Sequence, residues 1–189
     1  KDWDVTTNAK PDQIIALFSK TFYENDFGTV GVVNEETENE TLMVIEVTPY
    51  RLESAYSDNR HPDNVEFSQK LEDDLKRRDF TVNSLVYSVS KETLTDLYGG
   101  EKDVKDKIIR TVGEPDKRFN EDGLRLLRAV RLSTELGFEI APETEKSMIE
   151  NSNLLKNISM ERIRDEFTKI IMSDSPMNGL LAMKKLGLL

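Results

Sequence analysis

Cysteine is absent from this chain, and histidine occurs once, at His61. The first absence excludes a disulfide framework and thiolate chemistry, and a single imidazole cannot build a zinc site alone. Long apolar runs are missing too. None reaches the roughly 18 residues needed to span a bilayer, and no signal-peptide pattern opens the sequence. The expectation is a protein of the reducing cytoplasm with no membrane partner. Repeats and low-complexity tracts are also lacking. What remains is 189 residues, 37% hydrophobic and 33% charged, enough for one large globular domain or two small ones.

Basic residues are scarce overall, with a net charge of −10, but they are not spread evenly. Residues 1–75 hold 6 Lys/Arg against 17 Asp/Glu, and residues 132–189 hold 7 against 9. Residues 76–131 hold 13 against 10 and are the only net-basic part. A bound polyanion should therefore meet this middle segment. The sequence starts at Lys1 with a motif immediately behind it and stops at Leu189 in an amphipathic stretch, which reads as part of a longer chain.

Strand and helix signals mix up to residue 100. Pro11 suits the first turn of a helix whose apolar face is Ile14, Ile15, Leu17 and Phe18. Residues 28–33 and 41–48 read as strands separated by an acidic turn over 34–40. Residues 50–69 show little periodicity and read as a long loop. Helix signal resumes at Leu71, and Gly99-Gly100 marks a turn. From Glu101 onward the pattern is helical: Asn120 is the expected cap of one helix over 121–136 closed by Gly137, Pro142 opens another, Ser159 caps a third and Ser175-Pro176 starts a last.

Three stretches carry chemistry. In Asp2-Trp3-Asp4, a strand would point both carboxylates to one face, where hard oxygen ligands suit Mg²⁺; Glu46, on the strand over 41–48, is a candidate third carboxylate, although a strand-edge Glu is more often simply solvated. An Asp-x-Asp alone is more often solvated surface. In Arg77-Arg78-Asp79-Phe80-Thr81-Val82-Asn83, Arg78 can fork onto phosphate, and Asp79 and Asn83 offer polar contacts to a ribose; the alternative is a basic helix end. In residues 121–131, Asp122 and Arg125 stand three apart, so on one helix they share a face. Adenine and cytosine both present an exocyclic amine beside an unprotonated ring nitrogen. A carboxylate accepts from the amine and a guanidinium donates to the nitrogen, whereas guanine and uracil would oppose like to like at about 1–3 kcal/mol per unsatisfied group. The plainer alternative is a surface ion pair. Arg125, Arg128 and Arg131 step by three round one polar face; read as having no matching acids at i+4, they fit a bed for a triphosphate or primer backbone better than surface pairs.

Together these stretches, in this order and spacing, resemble the bacterial class II tRNA nucleotidyltransferases and their poly(A) polymerase relatives. The matching runs are Asp-x-Asp-x-x-Thr, Arg-Arg-Asp-Phe-Thr-x-Asn, Asp-x-x-Gly-Gly and Glu-Asp-x-x-Arg-x-x-Arg-Ala-x-Arg. The resemblance implies an α+β fold: a nucleotidyltransferase head with a small mixed or antiparallel sheet over residues 1–110, then an all-helical neck over 111–189. It implies that Asp2 and Asp4 are catalytic and hold Mg²⁺, that Arg78, Arg128 and Arg131 contact the nucleotide, and that Asp122 and Arg125 read the base. Asp96 and Gly99-Gly100 match a hinge element that lets the pocket take CTP first and ATP later, and residues 159–167 match a helix bracing the template helix. A glycine pair and an Arg-Asp helix before Lys1, and tRNA-holding domains after Leu189, would complete the enzyme; the stretch alone is expected to be weak or inactive.

The implied reaction adds CCA to the 3′ end of tRNA from CTP and ATP and releases pyrophosphate. Close alternatives are a poly(A) polymerase and a split enzyme adding only CC or only A. CC-adding versions are expected to lack the loop that residues 50–69 retain, which favours competence for the final A. A more distant alternative is a non-catalytic RNA-binding relative.

Overall fold

The structure is a computed structural model that describes residues 4–23, 28–53 and 65–189. These form two compact units, one within residues 4–74 and the other over 75–189. The division lies upstream of the 110/111 boundary expected from the sequence. Asp2 and His61 lie outside the described residues.

The first unit is built on a four-stranded mixed sheet. Strand β1 (Asp4–Thr7) leads into helix α1 (Pro11–Leu17), followed by β2 (Thr21–Tyr23), β3 (Val30–Val33) and β4 (Val44–Pro49), in the spatial order β1-β4-β3-β2. β1 runs parallel to β4, and the other neighbours are antiparallel. Pro11 occupies the first turn of α1 as its missing N–H allows, and Ile14 seals the small core with Val30, Val32 and Val47. Along β4, Val47 is buried while Val44 and Glu46 are exposed. The strand's expected start at residue 41 is displaced. Asn39 Oδ1 accepts from Thr41 N at 3.1 Å and Thr41 Oγ1 at 2.9 Å, which holds Glu40–Leu42 in a 3-10 turn.

The ends of the expected loop over 50–69 form an antiparallel pair, β5 (Arg51–Glu53) with β6 (Val65–Phe67). Three-residue strands are too short for a period-2 pattern to declare itself. The rest of that loop, residues 54–64, lies outside the described residues. Helix α2 (Leu71–Lys76) follows.

The second unit opens with a 3-10 turn (Thr81–Asn83) and a hairpin of β7 (Leu85–Ser88) and β8 (Thr93–Asp96). The Asp96 carboxylate then accepts the backbone N–H groups of Tyr98, Gly100 and Glu101 at 2.9–3.2 Å, fixing the start of α3 (Gly100–Asp106). Gly99 takes the left-handed backbone (φ 77°), and a Cβ on Gly100 would lie 2.3 Å from Thr81 O, so this turn needs both glycines. Two short strands, β9 (Ile108–Ile109) and β10 (Glu139–Ile140), pair in parallel, and Thr111 bridges Phe80, both departures from an all-helical C-terminal part. Helices α4 (Pro115–Glu121), α5 (Arg125–Leu136), α6 (Pro142–Glu150), α7 (Met160–Ile171) and α8 (Pro176–Leu186) complete the chain.

Helix α5 is the axis of this unit. Its residues Leu126, Leu127, Ala129 and Val130 are fully buried among Phe80, Phe119, Met148 and Ile170. Leu126, Leu127 and Val130 each contribute roughly 1.5–3 kcal/mol of burial free energy, and Ala129 less, so α5 is held rigidly. Gly137, left-handed at φ 66°, ends it where the sequence predicts. Its start is corrected. The expected single helix over 121–136 breaks at residues 122–124, because Asp122 adopts an extended backbone (φ −150°, ψ 107°) and its own Oδ1 accepts from Leu124 N at 3.0 Å. Asn120, the expected cap, instead donates to Asp116 O inside α4.

Candidate functional site

Asp122 and Arg125 therefore do not share one helix face; they flank the tight turn that starts α5. Gly123 permits this turn, since a Cβ there would come within 2.9 Å of Leu154 O. Arg125 is 9% exposed and tightly held. Its Nη1 donates to Arg118 O (3.0 Å) and Glu121 Oε2 (2.6 Å), and its Nη2 donates to Arg77 O (3.3 Å). Glu121 also accepts from Arg118 Nη2 at 2.6 Å, and Arg118 Nη1 reaches Lys76 O at 3.1 Å. One buried carboxylate thus bridges two guanidiniums that grip the chain between α2 and the Arg77-Arg78-Asp79 run. With three of its five N–H groups so engaged, Arg125 keeps Nε–H and one Nη2 proton.

Asp122 is held from the other side. Arg162, one turn into α7, donates from Nη2 to Oδ2 at 2.8 Å and from Nη1 to Oδ1 at 3.2 Å. One turn further on, Glu166 Oε2 accepts from Arg131 Nε at 2.7 Å. Glu135 adds a second acceptor at 3.0 Å from Arg131 Nη1. Arg128 gives both Nε (2.7 Å) and Nη2 (2.6 Å) to Asp79 Oδ2. The expectation of three arginines without matching acids is corrected: each carries at least one carboxylate, and Glu135 stands at i+4 from Arg131. Arg128 stays the most accessible, its side chain about one third exposed (34%).

Asp79 is a buried hub, and the expected ribose contact is preoccupied. Its Oδ1 accepts from Phe80 N (2.8 Å) and Asn83 Nδ2 (3.1 Å). Burial alone would push its carboxyl up, but the Arg128 charge, the Asn83 and Arg128 hydrogen bonds and the Arg125 charge outweigh that and hold it below the ordinary carboxylate value. Arg128 is correspondingly raised, its burial outweighed by Asp79. At Asp96, slight desolvation is likewise outweighed by the backbone N–H groups it accepts, and its carboxyl is lowered. Arg78 is half-buried, its backbone N donating to Leu75 O at 3.2 Å.

In the first unit, Asp4 and Glu46 are register partners on the parallel strands β1 and β4, both exposed. Register partners point to one face of a sheet, so two hard oxygen donors stand side by side. Among the described residues, no group of three His, Cys, Asp or Glu lies together as a metal site.

Residues 1–110 match the Poly A polymerase head domain, and residues 137–189 match the probable RNA and SrmB-binding site of polymerase A. The chain belongs to the Poly A polymerase head-domain family. Two relatives are the CCA-adding enzyme of Bacillus subtilis (strain 168), 45% identical over 171 residues, covering 90% of this chain and 41% of that protein, and that of Geobacillus thermodenitrificans (strain NG80-2), 42% identical over 188 residues, covering 99% and 45%. The crystal structure of the Bacillus stearothermophilus CCA-adding enzyme in complex with CTP superposes with a TM-score of 0.87 at 39% identity, covering all of this chain and 44% of that one. The chain spans less than half the length of the curated relatives it matches. The α+β class accords with the fold of that structure. No helix among the described residues is long and apolar enough to cross a membrane.

Within this Poly A polymerase family member, sequence reasoning missed two parts of the site. The Glu121 bridge had a local signal, since Arg118 and Arg125 stand at i−3 and i+4 from it. Arg162 had none pointing to Asp122, because its partner lies 40 residues away.

Proposed function

We propose that this chain is the head and neck of a CCA-adding tRNA nucleotidyltransferase of the cytoplasm, with residues 1–110 as head and 111–189 as neck. The observation that carries the reading is the 42% identity to a CCA-adding enzyme over 99% of the chain. Asp2 and Asp4 are the catalytic carboxylates that hold Mg²⁺, and Glu46 is the third. Asp4 and Glu46, in register and exposed, fit a hard divalent cation. Mg²⁺ bound there supplies Lewis-acid activation of the tRNA 3′-hydroxyl and neutralises charge on the leaving pyrophosphate. No histidine base is required of the chain, whose contribution is to position and to stabilise charge.

Asp122 and Arg125 select the nucleotide. A carboxylate acceptor and a guanidinium donor, each clamped by neighbours, suit the amine-plus-ring-nitrogen edge shared by CTP and ATP and oppose the edge of UTP and GTP. Arg128, the most exposed arginine of α5, takes phosphate together with Arg78, while Arg131 completes the row through the contacts Glu166 orders.

The test supplies the full-length protein with a tRNA lacking its 3′ end, and CTP and ATP separately and together. Two residues from CTP alone and a third only once ATP is added is the expected result. A tail of many A residues from ATP alone would establish a poly(A) polymerase instead, and binding of tRNA with no extension would leave a non-catalytic relative.

A further inference from the structure

Asp122 carries more hydrogen bonds than a base-reading carboxylate needs, and their arrangement is specific. A carboxylate offers about four lone-pair positions. Oδ1 has two occupied, by Leu124 N at 3.0 Å and Arg162 Nη1 at 3.2 Å. Oδ2 has one occupied, by Arg162 Nη2 at 2.8 Å. Among the described residues nothing takes the second position on Oδ2, and the side chain is still 15% exposed. The planar fork of Arg162 fixes the carboxylate plane in a way that a single donor could not, so the last acceptor has one direction.

Arg162 is itself placed on a rigid support. It sits one turn before Glu166 on α7, and Glu166, only 4% exposed, holds Arg131 of α5. The same two turns of α7 therefore fix α5 and set the carboxylate just ahead of it.

We infer that Arg162 is a specificity-determining positioning residue: its two-point grip leaves Asp122 a single acceptor, matched to the exocyclic amine of an incoming cytosine or adenine. This rests on the proposed function. Without the fork, the carboxylate turns about its own bond and water fills the space beside the base. Water donates and accepts alike, so it pairs with the carbonyl of uracil as readily as with the amine of cytosine. Discrimination then falls from the CTP side, as weaker binding of the correct nucleotide.

The experiment measures kcat and KM for CTP and UTP in the full-length protein, on a tRNA lacking its 3′ end, for wild type, Arg162→Met and Arg162→Lys. For Arg162→Met the expected result is a KM for CTP raised about tenfold, the scale of one hydrogen bond lost from binding, with kcat changed little and KM for UTP unchanged or lower. Arg162→Lys, which keeps a charge and one N–H, should fall between; it carries the test if the Met variant does not fold. A bracing role without specificity would lower kcat for both nucleotides by one factor and leave their ratio intact, and that result, or an Arg162→Lys ratio equal to wild type, overturns the inference. Failure of the wild-type protein to extend tRNA with any nucleotide would strike the proposed function instead.

Discussion

Every arginine of α5 is met by a carboxylate, and the separations explain what could be read in advance. The residue types and spacing of Asp122, Arg125, Arg128 and Arg131 were legible as a local pattern. Two of their partners were not: Asp79 lies 49 residues from Arg128 and Glu166 lies 35 from Arg131. Such pairings exist only once the fold has closed. Asp79 gives the clearest consequence. Its carboxyl titrates below the ordinary value when folded, so its contribution is present above the unfolded pKa of about 3.9 and is lost as pH falls through the lower, folded value. Asp79→Asn should cost about 3 kcal/mol at pH 7, the low end for breaking a buried pair because Arg128 is partly solvated. Urea denaturation at pH 7 and near pH 3 checks this: the gap between wild type and variant should shrink in acid, and an equal gap at both would exclude the ion pair as its source.

At the scale of elements, period and punctuation located most helices. Pro11, Pro142 and Pro176 open helices and Gly137 closes one as expected. The break between α4 and α5 escaped because two residues compete to cap, and Asp122 wins by bonding Leu124 N while Gly123 lets the chain pass close to Leu154. The turn before α3 was legible at Gly99-Gly100, but not its reason, which is the contact with Thr81 O. Gly100→Ala forces a methyl against that backbone oxygen and should destabilise by about 1–3 kcal/mol. Thermal unfolding measures it; a melting temperature equal to wild type would mean that the turn yields freely.

Across the whole molecule, the net-basic stretch over 76–131 turns out to spend much of its charge internally. Arg110, Arg118, Arg125, Arg128 and Arg131 all have carboxylate partners. Local charge balance therefore overstates the charge left over for a phosphate, while the four linked motifs were a good guide to the family. Each unit contributes a different chemistry: exposed acids in register on a sheet, and a clamped acid-guanidinium couple at the head of a buried helix. The proposed division of labour is that the first drives the transfer and the second chooses the base. Comparing Asp4→Ala with Asp122→Ala in the full-length protein tests this most directly, with CTP, ATP, UTP and GTP as substrates for tRNA extension and as ligands in equilibrium binding. Asp4→Ala should lose on the order of 10³-fold or more in kcat yet still bind CTP and ATP in preference to UTP and GTP. Asp122→Ala should keep extending tRNA while that preference collapses. If both variants lose rate and preference together, or if Asp122→Ala still excludes UTP and GTP, transfer and base choice are not divided between these two groups.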